Sequence, residues 1–339
     1  MSVANVHGRW RDLKAILFFV GQTFLYALSI AGALSDAPLV VNLLFSLFAG
    51  LVIGQLFILG HDACHQSLAA SQWLNALLAR LAFVPALHAC SLWNLEHNLK
   101  HHGHTNLKGQ DPSWPPMTKA EYEASTPLRR WLERVFRGPF GPGLYFMTQM
   151  WIRRHLFPLG ADAAHLWRKH LPDSVFVSCA YLLQAWVIVN AGTYLAPAKT
   201  ALAVISLGLV IPFLAWNWIM GLVIYLHHTH PSIPWFDKAP KMSRSTLQLR
   251  VTAHVIFPQP LRGLLYSIME HPSHHLQVNI PLDRLAAAQA QLQNSSSDHL
   301  LRYEWDLATY LQIIKACKLY DFDAICWTDF KGQPTSSVH

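Results

Sequence analysis

Four stretches of this chain, residues 16–34, 39–60, 175–195 and 202–226, contain no Asp, Glu, Lys or Arg. Each has about the 20 residues that an α-helix needs to cross the hydrocarbon core of a bilayer. With 52% hydrophobic and only 13% charged side chains among 339 residues, the chain does not read as water-soluble. The expected fold is an all-α integral membrane protein with four transmembrane helices.

The connections order these spans. Residues 35–38 alone separate the first two and 196–201 the last two, so each pair is expected to form a helical hairpin, with both tight turns on one side. Of the 26 Lys and Arg residues, only Lys199 falls on that side. The positive-inside rule then places both termini and the bulk of the chain in the cytoplasm, at the inner membrane in a bacterium. Arg9, Arg11 and Lys14 precede the first span as they would a signal peptide, but the apolar part is long and a second span follows at once. The five cysteines, Cys64, Cys90, Cys179, Cys317 and Cys326, show no CxxC spacing and suit a reduced compartment. A net charge of +7 spread over the cytoplasmic mass fits anionic lipid headgroups better than nucleic acid.

No repeat or linker divides the chain, so it reads as a single domain over 1–339, with spans at 16–60 and 175–226 and cytoplasmic regions at 61–174 and 227–339. Segments 73–93 and 144–157 mix apolar, aromatic and basic residues and are expected to be interfacial helices. Residues 111–116, DPSWPP, form a rigid segment without helix, and 303–314 reads as an amphipathic helix docked on the cytoplasmic mass.

Three histidine clusters sit just beyond or between the apolar runs: His61 with His65; His97, His101 and His102; His271, His274 and His275. Positions i, i+3 and i+4 share a helix face, so each cluster can aim two or three imidazoles at one point. Neutral imidazole is the commonest nitrogen ligand for iron, zinc and copper, and one ion takes roughly four to six ligands. Eight converging histidines exceed the needs of one ion and suit two, as in a membrane-embedded metal oxidase. A metal transporter or haem carrier would place its ligands near mid-membrane, whereas these lie at or beyond span ends. His7, His88, His155, His165, His170, His254, His299 and His339 have no partner at ligand spacing and are expected to play no part in metal binding.

In the order HxxxH, HxxxHH and HxxHH, the clusters form a specific pattern, and with it the chain resembles the membrane fatty-acid desaturases. HTNLKGQDPSWPP after the second cluster, YLHHTHPSIPWF at the end of the fourth span, MEHPSHHLQVNIPLDRL around the third cluster and KLYDFDAICWTDF near the C-terminus are similar to the omega-6, acyl-lipid branch. The likeness covers nearly everything after the first span. Two departures stand out. The first box has Ala63-Cys64 where the family usually shows Gly just before the second His, and the second box has three residues between His97 and His101 where many members have two. Both fit helical geometry.

The resemblance implies a cytoplasmic helical region holding two non-haem iron ions, with dioxygen as co-substrate, and one more ligand near the end of the last span. In the matching HHTHP segment His228 is the expected ligand, ahead of His227 and His230. Asp62, Glu96 and Glu270 flank ligand histidines and can accept an outer ring N–H; the alternative for each is a solvated acid or an ion pair with a nearby Lys or Arg. Asn106 can donate a supporting hydrogen bond or cap a helix.

Removing hydrogen from an unactivated alkyl chain requires an oxidant that no side chain supplies. The expected reaction is oxygen-dependent desaturation of a fatty acyl chain, with hydroxylation, acetylenation or another lipid oxygenation on the same scaffold as the alternative. No GxGxxG fingerprint, cysteine run or HPGG segment is present, so electrons are expected from a separate ferredoxin or cytochrome b-type protein with its reductase. Arg129, Arg130, Arg134 and Arg137, with Arg153 and Arg154, can receive an acidic carrier or a phosphate headgroup; topology alone also accounts for them.

Overall fold

The computed structural model describes residues 3–157, 166–259, 261–295 and 300–337, with side chains from Gly8 onward. His165, His299 and His339 lie outside the described residues, as does the side chain of His7. The chain is mostly helical and divides into two compact units: residues 1–94 with 151–219, and residues 95–150 with 220–339.

The first unit gathers the apolar helices. Those long and apolar enough to cross a membrane run over Gly8–Ala33 (within α1, Val3–Ala33), Leu39–Cys64 (α2), Trp167–Leu195 (α8) and Ala201–His228. The fourth is a composite of α9 (Ala201–Ile205), a π-helical turn (Ser206–Val210) and α10 (Ile211–His228), which crosses into the second unit. Protein buries 61% of the apolar window in α2 but only 17% of that in α8, so α2 is the inner span and α8 the outer one. In hydrocarbon there is no hydrophobic drive between helices, and packing with polar ties takes its place. Asn42 closes the α1–α2 turn by donating to the carbonyls of Gly32 and Ser35, both at 3.1 Å. Lys199 Nζ donates to Ser35 O at 2.7 Å and so ties the two tight turns together.

After α2 the chain reverses into α3 (Gln72–Ala82), and α1 holds the reversal: Asp12 accepts the backbone N–H groups of Ala70 and Ser71, and Arg11 donates to Ser67 O. Gly60 makes this packing possible, since a Cβ there would fall 2.4 Å from the Phe83 ring. The expected interfacial helix at 73–93 is in fact broken. α3 ends at Ala82, Leu87 takes a positive φ of 53°, and α4 starts only at Cys90 (Cys90–Trp93), because Pro85 cannot continue a helix. The segment at 144–157 likewise joins the end of α7 (Gly141–Tyr145) to a π-helix over Phe146–Leu156.

The second unit carries α5 (Lys119–Ala124), α6 (Pro127–Phe136), α11 (Arg244–Val251), α12 (Leu261–Leu264), α13 (His271–Leu276), α14 (Leu282–Ser295) and α15 (Leu307–Ala316). Two small sheets complete it: β1 (His254–Ile256) parallel to β2 (Arg302–Glu304), and β3 (Leu319–Asp321) antiparallel to β4 (Cys326–Thr328). The helix expected over 303–314 is corrected here. Residues 302–304 pair as a strand, and α15 starts at Leu307, where Asp306 caps it by accepting the Thr309 N–H at 2.6 Å.

The reading of Arg137 as a docking residue is corrected too. Arg137 is fully buried, bonded to Glu133 at 3.0 Å and to the carbonyl of Pro115 at 3.0 Å, so it braces the DPSWPP segment and is inaccessible to a carrier. Arg129 pairs with Glu133 at 3.1 Å and Arg134 donates to the Tyr122 hydroxyl at 2.7 Å.

Candidate metal centre

Each histidine reaches its place through a local rule of backbone geometry. In α13, Pro272 occupies the first turn, where its missing N–H costs nothing, and His271 and His275 lie at i and i+4 with His274 at i+3. The second cluster departs from the expectation that His97 and His101 share a face. Asn94–His101 is π-helical, and the His102 N–H bonds to the His97 carbonyl five residues back at 3.0 Å. The widened turn sets His97 beside His102 and rotates His101 away from both.

Seven histidines of the second unit therefore fall into two sets that cut across the sequence clusters. In one, the ligand nitrogens of His101, His228, His271 and His275 all lie within 4.8 Å of one another, and all four residues are buried. His101 Nε2 is 3.2 Å from His275 Nε2, and His228 Nε2 is 2.9 Å from His271 Nε2. In the other, His102 Nε2 lies 3.0 Å from His97 Nε2 and 3.2 Å from His274 Nε2. The sets adjoin: the rings of His102 and His275 are 4.3 Å apart between centroids. His227 stacks on His271 at 3.7 Å and stands outside the four, while His230 stacks on Tyr303 at 5.1 Å.

Hydrogen bonds at the outer nitrogens decide where the lone pairs point. His101 Nδ1–H donates to Asp111 Oδ1 at 3.0 Å, His275 Nδ1–H to Gln248 Oε1 at 2.7 Å, and His228 Nδ1–H to the Val251 carbonyl at 3.0 Å. Each neutral ring then turns an Nε2 lone pair inward. Two lone pairs facing each other at 3.2 Å, as between His101 and His275, repel unless a cation lies between them. Around an ion with metal–nitrogen bonds of about 2.1 Å, neighbouring ligands stand about 3.0 Å apart in octahedral and about 3.4 Å in tetrahedral geometry. The closest separations in the two sets, 2.9 to 3.2 Å, lie at or near that range, so these residues fit a metal.

The charges agree. Burial first, then the imidazoles of His102 and His271 among others, hold His275 well below its ordinary range, and burial with His227 and His228 does the same for His271. Both rings are neutral at physiological pH. Burial pushes the Asp111 carboxyl up, but the His101 imidazole and its hydrogen bond outweigh it and leave the acid below its usual value, hence ionised. Asp111 also accepts the backbone N–H of Asn106 at 2.7 Å and of Ser113 at 2.9 Å, which fixes the loop that follows the second cluster.

Two of the acids beside these histidines form ion pairs. Glu96 pairs with Lys100 at 2.7 Å and Glu270 with Arg262 at 2.7 Å, the ion-pair alternative in both cases. Asn106 caps no helix; at a φ of 55° it donates to Pro234 O at 3.0 Å and His228 O at 3.4 Å, holding the HHTHP segment. Sequence spacing gave no sign of Asp111, Gln248 or Val251 as ring-orienting partners. The C-terminal motif contributes at one remove: the Trp327 indole donates to Ile233 O at 3.0 Å and Tyr320 OH accepts the Trp235 N–H at 3.0 Å.

In the first unit, His61 and His65 end α2 with rings 4.7 Å apart, both against Trp93. Asp62 Oδ1 lies 3.5 Å from His61 Nδ1. His88 and His155, distant in sequence, are also in contact, Nε2 to Nδ1 at 3.2 Å. In the second unit, His254 meets the Gln293 amide.

Comparison with known proteins agrees with this geometry. The fatty acid desaturase family model matches residues 37–306. An omega-6 fatty acid desaturase, chloroplastic, of Glycine max is 29% identical over 91% of this chain and 70% of its own length. The sn-1 oleoyl-lipid 12-desaturases of Synechocystis and Picosynechococcus are 30% and 27% identical, over 81% and 85% of this chain and 75% and 79% of their own lengths. With apolar spans, two adjoining histidine sets and a family match over most of its length, this chain belongs to the fatty acid desaturase family, on its acyl-lipid omega-6 branch.

Proposed function

We propose that this membrane protein introduces a carbon–carbon double bond into a fatty acyl chain carried on a membrane lipid, using dioxygen and two external electrons at a pair of non-haem irons. The two adjoining histidine sets carry this reading, since one ion cannot use all of these ligands. His101, His228, His271 and His275 would hold one iron. His97, His102 and His274 would hold the other, and the family resemblance adds His61 and His65 of the first box to the iron ligands. The lipid carrier is supported by the names of the cyanobacterial relatives.

When bound, the irons with dioxygen and two electrons supply the oxidising power to take hydrogen from an unactivated methylene. The chain's residues set the geometry. Asp111, Gln248 and the Val251 carbonyl lock three imidazoles in one tautomer and one orientation, so the ligand positions are set before metal arrives. The burial of His271, His274 and His275 keeps bulk water from the site. Electrons are assigned to a separate ferredoxin or cytochrome b-type protein with its reductase, and the histidine boxes and both termini to the cytoplasmic face.

Mass spectrometry of the lipids of a host expressing the protein tests this, against a His274→Ala, His275→Ala variant. Fatty acids two mass units lighter, absent with the variant, are expected. A species sixteen units heavier would instead establish a hydroxylase, and identical lipids from both strains, with iron-loaded protein and reductant present, would contradict lipid oxidation.

A further inference from the structure

Cys64 lies inside the first histidine box, directly before His65, where the family resemblance leads one to expect no thiol. The fold brings it against Cys90, the first residue of α4, with the two sulfurs 3.5 Å apart and both residues buried. Among the described residues, neither cysteine belongs to the histidine groups that could hold a metal. A third residue completes the arrangement: Asn94 Nδ2 donates to Cys90 O at 3.1 Å and lies 3.6 Å and 3.7 Å from the sulfurs of Cys90 and Cys64. An amide N–H aimed between two sulfurs stabilises whichever of them is anionic. The Cys90 thiol is held below its ordinary range by the hydrogen bond from Cys64 and then by the Arg80 guanidinium, against burial. Arg80 is fixed by its ion pair with Asp173 at 2.8 Å, and Asp173 also accepts the Ser91 N–H at 3.0 Å, so the start of α4 cannot drift away.

We propose that Cys64 and Cys90 form a dithiol that hydrogen peroxide converts to a disulfide, and that this modification disables the first histidine box. The Cys90 thiolate attacks one oxygen of the peroxide, breaking the O–O bond to give Cys90 sulfenic acid and hydroxide. The Cys64 thiol then displaces water from that sulfenic acid, forming the S–S bond. The hydroxide takes the remaining proton, so two thiols and one peroxide give one disulfide and two waters. The sulfurs must close from 3.5 Å to about 2.05 Å. Displacement on the order of 1 Å in a residue bonded to His65 is enough to cost about a hundredfold in a positioned reaction. The activity half of this inference rests on the desaturase reading, whereas the disulfide does not.

The full-length protein in lipid nanodiscs, with and without graded hydrogen peroxide, is alkylated, digested without reductant and examined by mass spectrometry, alongside a desaturation assay. We expect a peptide pair linking Cys64 to Cys90, a loss of conversion of tenfold or more that tracks it, and recovery on thiol reduction. Cys90→Ser should keep its conversion after the same treatment. Both cysteines recovered as separately alkylated peptides at peroxide levels that inactivate the enzyme would overturn the pairing, as would a Cys90→Ser variant inactivated in parallel with the wild type. A preparation inactive before any peroxide but forming the linked peptide would count against the desaturase reading and leave the dithiol standing.

Discussion

Asp111 shows how an orienting group can be hidden in plain sight. It stands ten residues after His101, in a segment legible only as proline-rich and rigid, and reaches the ring because the intervening loop folds back through Asn106 at a positive φ. The acids adjacent to ligands in sequence were the natural candidates. Glu96 and Glu270 turned instead to Lys100 and Arg262, because neighbours along a helix point to different sides of it. Asp111→Ala is therefore expected to lower iron affinity about 10- to 100-fold, the usual cost of losing a ring-orienting partner, while Glu96→Gln changes it little. Metal analysis after equilibration with a graded chelator checks both. Protonation gives a second prediction. His271 and His275 are held well below their ordinary range, and burial followed by Arg262 and Arg302 lowers His254 to about 4. These rings stay neutral when folded but take up protons near pH ~6.5 once unfolded, so the unfolded state gains protons as pH falls. Stability of the metal-free protein is full above pH ~6.5 and is lost progressively below it. Apparent melting temperatures between pH 7.5 and 5 should fall monotonically, and a flat profile would refute the assignment.

At the level of elements, the spans and the existence of helical histidine boxes were legible, because a long uncharged run and an i, i+4 repeat have few alternatives. What the sequence did not disclose was the division of labour between boxes. The π-helical turn over Asn94–His101 sends His101 to one set and His97 with His102 to the other, and α13 divides its three rings by the same logic at i, i+3 and i+4. Hydrogen-bond register of this kind leaves no periodic mark in composition. Deleting Leu99, an exposed residue inside that turn, gives the two-residue spacing that many relatives show and turns the i, i+5 pair of His97 and His102 into an i, i+4 pair, which an ordinary α turn also sets side by side, so both metal sites should survive. Iron content staying at two per chain, with the fold kept by circular dichroism, is the expected outcome, and a fall toward one would contradict it. A second element-scale test concerns α10. A Cβ on Gly221 would sit 2.3 Å from the Pro142 carbonyl oxygen and 2.8 Å from Gly143 Cα, where only backbone could move. Gly221→Ala should destabilise by about 1–3 kcal/mol, read as a lowered melting temperature.

For the whole molecule, the charge asymmetry that places Lys199 alone at the tight turns is matched by its bond to Ser35 O, which ties those turns together within the membrane unit. With the proposed orientation, a cysteine replacing Lys199 should react with a membrane-impermeant maleimide from outside the cell, and one replacing Arg130 only after lysis. Equal labelling of both in intact cells would refute that topology. The proposed reaction requires two irons held by the histidine sets. Iron X-ray absorption on anaerobically purified protein, paired with metal counting, tests this most directly. We predict two irons per chain in a nitrogen-dominated shell at about 2.1 Å, falling toward one in His228→Ala. A single tetrahedral zinc, or iron present only as haem, would contradict it.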